Sequence, residues 1–422
     1  MLLLYASEEH VLQALVQAEL HAMNGAADVV VTGDQGNGRP VIVHGRLYDD
    51  AKEHFGFVDG ISQPVIRGTY KGMRNADPIH LMEPGEFILG YPDNRGNMPP
   101  GPTLRALADP GNQLPLVGAV SGFDKNVVEN DRDLGFNGTF LVIRQLEQDV
   151  TGFRSYCEEQ ATHLALRLPA PYNINADFIA AKLIGRWRDG ASVVRYPYES
   201  RSIAARRSVT LLNETVRTRT TREAPIEPPQ KAAPPKAALA KLGETVRSII
   251  AESGGPRDVI PDVSRKTSDN DFLFGTEDPE ALRCPYGSHI RRANPRDSFD
   301  PGSNDQIGIT NRHRIMRVGR VYQEKAGENP GLLFMCLNGD IERQFEFVQQ
   351  TWLMSPSFHG LSCEKDPVLG DGEAGACGFT IPSRDGPIAL SPMPAFITTK
   401  GGGYFFMPGK RLIEYLLAPR GG

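Results

Sequence analysis

The sequence is poor in the features that would place it in several common function classes. Its five cysteines are scattered at positions 157, 284, 336, 363 and 377, and none sits in a CxxC pair. A zinc ribbon or a thioredoxin-like redox site therefore has no support, and the expectation is five reduced thiols. Neither sign of charge dominates: 46 Lys and Arg stand against 51 Asp and Glu, a net charge of -5. With no basic stripe, no nucleic-acid partner is expected. No apolar run reaches the roughly 18 residues of a membrane helix, so no membrane partner is expected either. The start, MLLLYASEEH, has no basic segment and no cleavage site. It does not read as a signal peptide, and the expected compartment is the cytoplasm. The nine histidines include no HExxH and no His/Cys cluster. No internal repeat is visible.

What is present is an ordinary globular balance, 40% hydrophobic and 23% charged over 422 residues, long enough for two domains. Residues 2–5 read as a strand. Leu12, Leu15, Val16, Leu20 and Met23 fall at helical spacing from Glu8 to Met23, before the Asn24-Gly25 stop. Asp28–Thr32 and Pro40–His44 read as strands around the turn-rich Gly33–Gly38, which lacks the GK[ST] ending of a phosphate loop. Residues 85–140 should be mostly loop. Strands are predicted at Gly138–Leu146, Gly331–Asn338, Ala395–Thr399 and Tyr404–Met407. Helices are predicted near Thr151–Leu166, Ala176–Arg188 and Asp340–Trp352, with a short last helix. Five prolines in residues 223–239 mark a flexible insertion at about 201–260. Helices falling between pairs of strands predict an α+β fold with antiparallel sheets and helices on their faces.

Three segments could carry chemistry. RCPYGSHIRRANPR at Arg283–Arg296 sets one histidine, His289, among Arg291, Arg292 and Arg296. An imidazole among guanidinium groups suits a haem site, with the ring on iron and the cations on the propionates. A lone histidine is more often structural. EHFGFVDGISQP at Glu53–Pro64 places Asp59 in an apolar, glycine-punctuated stretch, where such an Asp more often simply holds a turn. RHRIMRVGR at Arg312–Arg320 is basic and strand-like, the pattern of many solvated faces.

Together these segments resemble the dye-decolorising peroxidase family. GFVDG at Gly56–Gly60 resembles that family's GxxDG motif, CPYGSHIRRANPR its proximal segment, and IMRVG at Ile315–Gly319 its distal arginine segment. The spacing of 28 residues from His289 to Arg317 resembles the longer-insertion subgroup. The likeness extends over GEFILGYP, GTFLVIRQLEQDV, AKLIGRW, GLLFMCLNGDIERQFEFVQQTW and GGGYFFMPG. It implies two ferredoxin-like domains: a remnant of the first in residues 1–50, since LLLYA resembles a mid-domain strand, and a haem-binding domain in 51–422. It also implies one haem b per chain, with hydrogen peroxide and a bulky organic reductant, a dye or phenol, as substrates. His289 is then the iron ligand, and Asp59 and Arg317 the catalytic pair. Asp59 would carry a proton between the peroxide oxygens while Arg317 stabilises developing negative charge.

Asp340, with Glu342 behind it, is the candidate acceptor for the second ring nitrogen of His289, or else a helix cap. Arg291 joins the cofactor set, and Phe334 and Leu333 are candidates for the pocket wall. Trp352, Tyr322 and Tyr404 are candidate exits for electrons. A homo-oligomer stays open, as does a haem-handling protein with little or no turnover.

Overall fold

The computed structural model describes residues 2–24, 42–47, 51–70, 77–117, 130–165, 174–204, 270–323, 330–371 and 378–418. Two compact units are present, Met1–His44 and Gly45–Gly422. In the first, helix α1 (Glu9–Asn24) carries the predicted stripe, with Leu12, Leu15, Val16 and Leu20 more covered than most of their neighbours. Residues 2–5 are not in a strand; apolar residues become a strand only where a neighbour completes the ladder. The strand Asp28–Thr32 and the turn at Gly33–Gly38 lie outside the described residues. Of Pro40–His44 only the last three are described, and they are not strand.

The second unit is built on one four-stranded antiparallel sheet. In chain order its strands are β1 (Thr139–Gln148), β2 (Met316–Tyr322), β3 (Gly331–Asn338) and β4 (Ile397–Met407), and their spatial order is β4-β1-β3-β2. Two helices follow β1 and a helical segment follows β3, so the sequence of elements and the strand order are those of a split βαβ, ferredoxin-like sheet. The fold is α+β, as the alternation of elements predicted.

Local chemistry sets the helix ends. Helix α2 (Val150–Ala165) opens on Asp149, whose Oδ1 accepts the Gly152 N–H at 2.8 Å. Helix α3 (Ala176–Ile184) is capped by Asn175, which accepts the Phe178 N–H at 2.9 Å, and is stopped by Gly185 at φ 95°. It ends four residues before the predicted Arg188 because Gly185 turns the chain out. The two helices form the main core through Phe153, Tyr156, Ile179 and Leu183, joined by Phe55 and Phe57 from the loop before the sheet.

Three other expectations are corrected. The two closing strands are one, β4, with an irregularity between Thr399 and Gly401 that re-sets its register on β1. The segment after β3 is wound as π-helix over Glu342–Glu346 and Val348–Leu353. Cys363 is disulfide-bonded, so the expectation of reduced thiols fails there; Cys157, Cys284 and Cys336 are free and buried. Cys377 and residues 205–269, most of the Pro-rich insertion, lie outside the described residues.

Gly185 also permits a close approach: a Cβ there would stand 2.4 Å from Ile290 Cγ1, directly after His289. Gly185→Ala should therefore cost about 1–3 kcal/mol through the clash as well as the positive φ. Gly68→Ala, at φ 83° with nothing within 4 Å, should cost only the backbone strain. Urea midpoints compare the two, and equal losses would mean that Ile290 does not press on Gly185.

Candidate functional site

The loop Ala51–Gly60 is a small closed structure. Asp59 donates its N–H to Ala51 O at 2.9 Å and Glu53 donates to Phe57 O at 3.0 Å. Gly56, at φ 93°, makes the turn. Phe55 and Phe57 point into the core, and Asp59 emerges toward β2. There its carboxylate pairs with the Arg317 guanidinium and accepts the Gly60 N–H at 2.7 Å. Gly319 makes room for this: a Cβ on it would lie 2.7 Å from Asp59 Oδ2. Burial pushes the Asp59 carboxyl up, but the charge and hydrogen bond of Arg317 and the N–H groups of Gly60 and Gly319 outweigh it and hold it below the ordinary 3.8. Arg317 is further fixed by Gln63, whose Nε2 donates to Arg317 O at 2.6 Å. The pair lines a cavity of about 150 Å³ with Arg46, Lys52, Glu53 and Leu332 among its walls. That space admits a molecule the size of peroxide and is smaller than the roughly 300 Å³ at which drug-sized ligand sites begin.

His289 opens the short helix α4 (His289–Ala293). Its Nδ1 lies 3.0 and 3.1 Å from the two oxygens of Asp366. Asp366 is 1% exposed and also accepts the Val368 and Leu369 N–H groups at 2.9 Å. Burial raises its pKa, but His289, the Leu369 N–H and Arg292 lower it further, so it is an anion. A carboxylate only accepts, so the His289 proton sits on Nδ1 and the Nε2 lone pair is left free. No hydrogen bond to Nε2 is made among the described residues. A buried carboxylate behind an imidazole with one open nitrogen is the donor set of a metal-ligating histidine. Among the described residues no group of three or more His, Cys, Asp or Glu could hold a metal alone.

A macrocycle with carboxylate arms needs cations, and the structure has buried ones beside Asp59 and Arg317. Arg186, Arg296 and Arg314 are each 5–6% exposed. Arg296 and Arg186 share the Asn270 Oδ1 acceptor, and Arg314 donates to His80 Nδ1 at 3.2 Å and Ser62 O at 3.4 Å. Neither Arg296 nor Arg314 forms an ion pair among the described residues. Burial, reinforced by the neighbouring Arg317, pushes Arg186 and Arg314 down to about 10. Burial and these same guanidinium groups take His80 to about 3, so it is neutral. At this depth the charges of Arg296 and Arg314, without an ion pair among the described residues, are costly and fit an anionic group. The residues present fit haem.

Of the residues singled out from sequence, Asp59 and Arg317 are brought together, while His289 does not line their 150 Å³ cavity. Asp340 is not the partner of His289: it accepts the Arg343 N–H at 3.0 Å and caps the π-helical segment. Its partner role belongs to Asp366, which sequence reading missed. The only local signal there is a carboxylate accepting the N–H two residues on, which reads as an ordinary turn. Arg291 is 0% exposed and committed to Asp278, Cys284 O and Ser298, and Arg292 to the carbonyls of Trp352, Leu353, Ser355 and Glu364. Phe334 is level with Gly319 on the face carrying Arg317 and meets Phe345 at 6.3 Å. Leu332 lines the cavity, whereas Phe334 and Leu333 do not. Trp352 and Tyr322 are buried; Tyr404 is 45% exposed.

No family model matches the chain. Among curated proteins it is 24% identical to the multifunctional dye peroxidase DyP2 of Amycolatopsis sp., over 95% of this chain and 68% of that protein. It is likewise 24% identical to the dye-decolorizing peroxidase msp1 of Mycetinis scorodonius, over 91% of this chain and 59% of that one. The chain thus spans 68% and 59% of the length of these relatives. An ancestral D-type dye-decolorizing peroxidase structure superposes with a TM-score of 0.58 at 22% identity, covering 97% of this chain and 72% of that one. A variant of the dye-decolorizing peroxidase of Pleurotus ostreatus superposes at 0.61 with 19% identity, over 98% and 71%. Along nearly all of its length the chain is thus similar to dye-decolorising peroxidases, and it shares their fold.

Proposed function

We propose that the chain is a haem peroxidase that uses hydrogen peroxide to oxidise dyes, phenols or similar bulky reductants. The observation that carries this reading is the Asp59–Arg317 pair at the wall of a peroxide-sized cavity. His289, held by Asp366, would ligate the iron through Nε2, and Arg186, Arg296 and Arg314 would meet the haem carboxylates. Haem, when bound, supplies the electrons that reduce peroxide.

The chain's own groups manage the proton and the charge. Asp59, ionised, takes the proton from one peroxide oxygen and returns it to the other, which leaves as water. Arg317 keeps its proton throughout and stabilises negative charge on the departing oxygen. The short reach of the Asp59 carboxylate past Gly319 keeps both tasks at one place. The cavity is too small for a dye, so the reductant gives up electrons at the surface. Arg317, Cys336, Val142 and Tyr404 form one row across β2, β3, β1 and β4, about 14 Å over three strand spacings. Tyr404 is the exposed end of that row, and its hydroxyl accepts from Arg144 Nη2 at 3.2 Å. This favours Tyr404 over the buried Trp352 and Tyr322 as the contact for the reductant.

Purified protein should show a haem absorption band that His289→Ala removes or shifts in axial ligation. An unchanged spectrum in the variant would discard the ligand. Asp59→Asn should slow the reaction with peroxide by about 100-fold or more with haem retained, measured by stopped flow; an unaffected rate removes Asp59 from the mechanism. Because the folded Asp59 pKa is depressed, its active ionised form persists as acid is added and is lost only below the ordinary 3.8. The acid limb of the peroxide step should therefore fall below that value, with dye oxidation optimal below about pH 6. A limb above it, or an optimum above neutrality, would count against this base. Tyr404→Phe should lower dye oxidation several-fold with the peroxide step intact. Equal dye rates would move the exit elsewhere.

A further inference from the structure

The cavity that holds Asp59 holds a second carboxyl, Glu53, to which the mechanism above gives no task. Glu53 sits at the other end of the closed loop. Its oxygens accept the Phe55 N–H at 2.8 Å, the Phe57 N–H at 3.0 Å and Gln148 Nε2 at 2.7 Å. Gln148, on β1, is 1% exposed, and its Oε1 is buried with no partner among the described residues. An amide in this place serves both ionisation states of the acid. Its NH₂ donates to a carboxylate, and after a flip its carbonyl accepts from a carboxylic O–H. A carboxylate that only braced the loop would need the donor alone.

We propose that Glu53 holds a proton beside Asp59 and passes it to the Asp59 carboxylate during turnover, a positioning residue that acts through Asp59 and so rests on the reading of Asp59 as the proton carrier. Reduction of one peroxide to two waters consumes two electrons, which the organic reductant supplies, and two protons, which must reach the cavity. In each hand-over the O–H bond of Glu53 breaks and an O–H bond forms on Asp59. Glu53 then takes a proton from solvent.

The charged surroundings divide the two acids. On its own loop Glu53 has Lys52, His54 and Asp59. Arg188 reaches that loop by donating to Phe55 O. Arg317 and Arg320 face the cavity from β2, and Arg46 stands at its wall. Arg317 is tied to Asp59. Burial pushes the Glu53 carboxyl above the ordinary 4.5 against its three hydrogen bonds, and the Asp59 charge adds to the rise. Two acids of one cavity thus separate into a proton holder and an ionised base. Glu53 keeps its proton as pH rises past 4.5 and loses it only higher, so the supply fails on the alkaline side.

The test uses the haem-loaded protein and three variants, Glu53→Gln, Glu53→Asp and Asp59→Asn. Infrared difference spectra between the wild type and Glu53→Gln, recorded above the ordinary 4.5, should show the loss of one protonated-carboxyl component, which Asp59→Asn should retain. Glu53→Gln should also lower turnover on the order of tenfold more than it lowers the peroxide step, and flatten the alkaline limb of kcat. Glu53→Asp should restore part of that limb. A difference spectrum with no protonated-carboxyl component lost in Glu53→Gln overturns the proposal, and so does an equal fall of both rates with the limb unmoved, the signature of a brace. If Asp59→Asn left the peroxide step intact, the hand-over and the reading beneath it would both fall, while the infrared band would still report the Glu53 proton by itself.

Discussion

The ion pair between Asp59 and Arg317 is the constraint around which the site is arranged, because its partners come from parts of the chain 258 residues apart. The acid rides on a nine-residue closure whose backbone bonds to itself, and the cation on the edge strand of a four-stranded sheet. They meet only because position 319 has no side chain. A carboxylate beside a fixed guanidinium stays ionised in acid, and the guanidinium gains a place from which to act on a neighbouring negative charge. Removing one partner of such a half-buried pair would leave the other uncompensated, which is the larger cost.

The structure uses its carboxyl groups in three different ways, and burial alone does not separate them. Asp366 is the most deeply placed of the three and yet ionised, because an imidazole, two backbone N–H groups and Arg292 surround it. Asp59 is less enclosed and ionised by a single cation. Glu53 has three donors but no cation paired with it among the described residues, and there burial prevails. The order follows from what stands within hydrogen-bond reach of each group.

Arginines divide in the same manner. Arg291 and Arg292 act as internal cross-links: the first joins helix α4 to the turn at Asp278, the second gathers carbonyls at the end of the π-helical segment. Arg186, Arg296 and Arg314 are buried too but collect around one amide and one neutral histidine. At Arg296 and Arg314, which form no ion pair among the described residues, an anionic ligand would offset the cost of buried positive charge.

Much of this was legible beforehand. The apolar run Gly331–Asn338 could only be a buried strand, and it is one with the same ends. The helical stripes of α1, α2 and α3 and the residues His289, Asp59 and Arg317 stood out because periodicity and short motifs are local properties of the chain. The identity of the histidine's partner was not local. Asp340 and Asp366 are both aspartates that accept N–H groups two or three residues ahead, and nothing in their neighbourhoods tells them apart. What chose Asp366 was the return of its loop to a ring 77 residues earlier in the chain. The same holds for Arg291, whose neighbours promised a ligand and whose packing made it a strut. Sequence determined which groups existed and which elements carried them; tertiary structure alone decided which groups met, because a hydrogen bond between distant residues depends on packing that no local preference records.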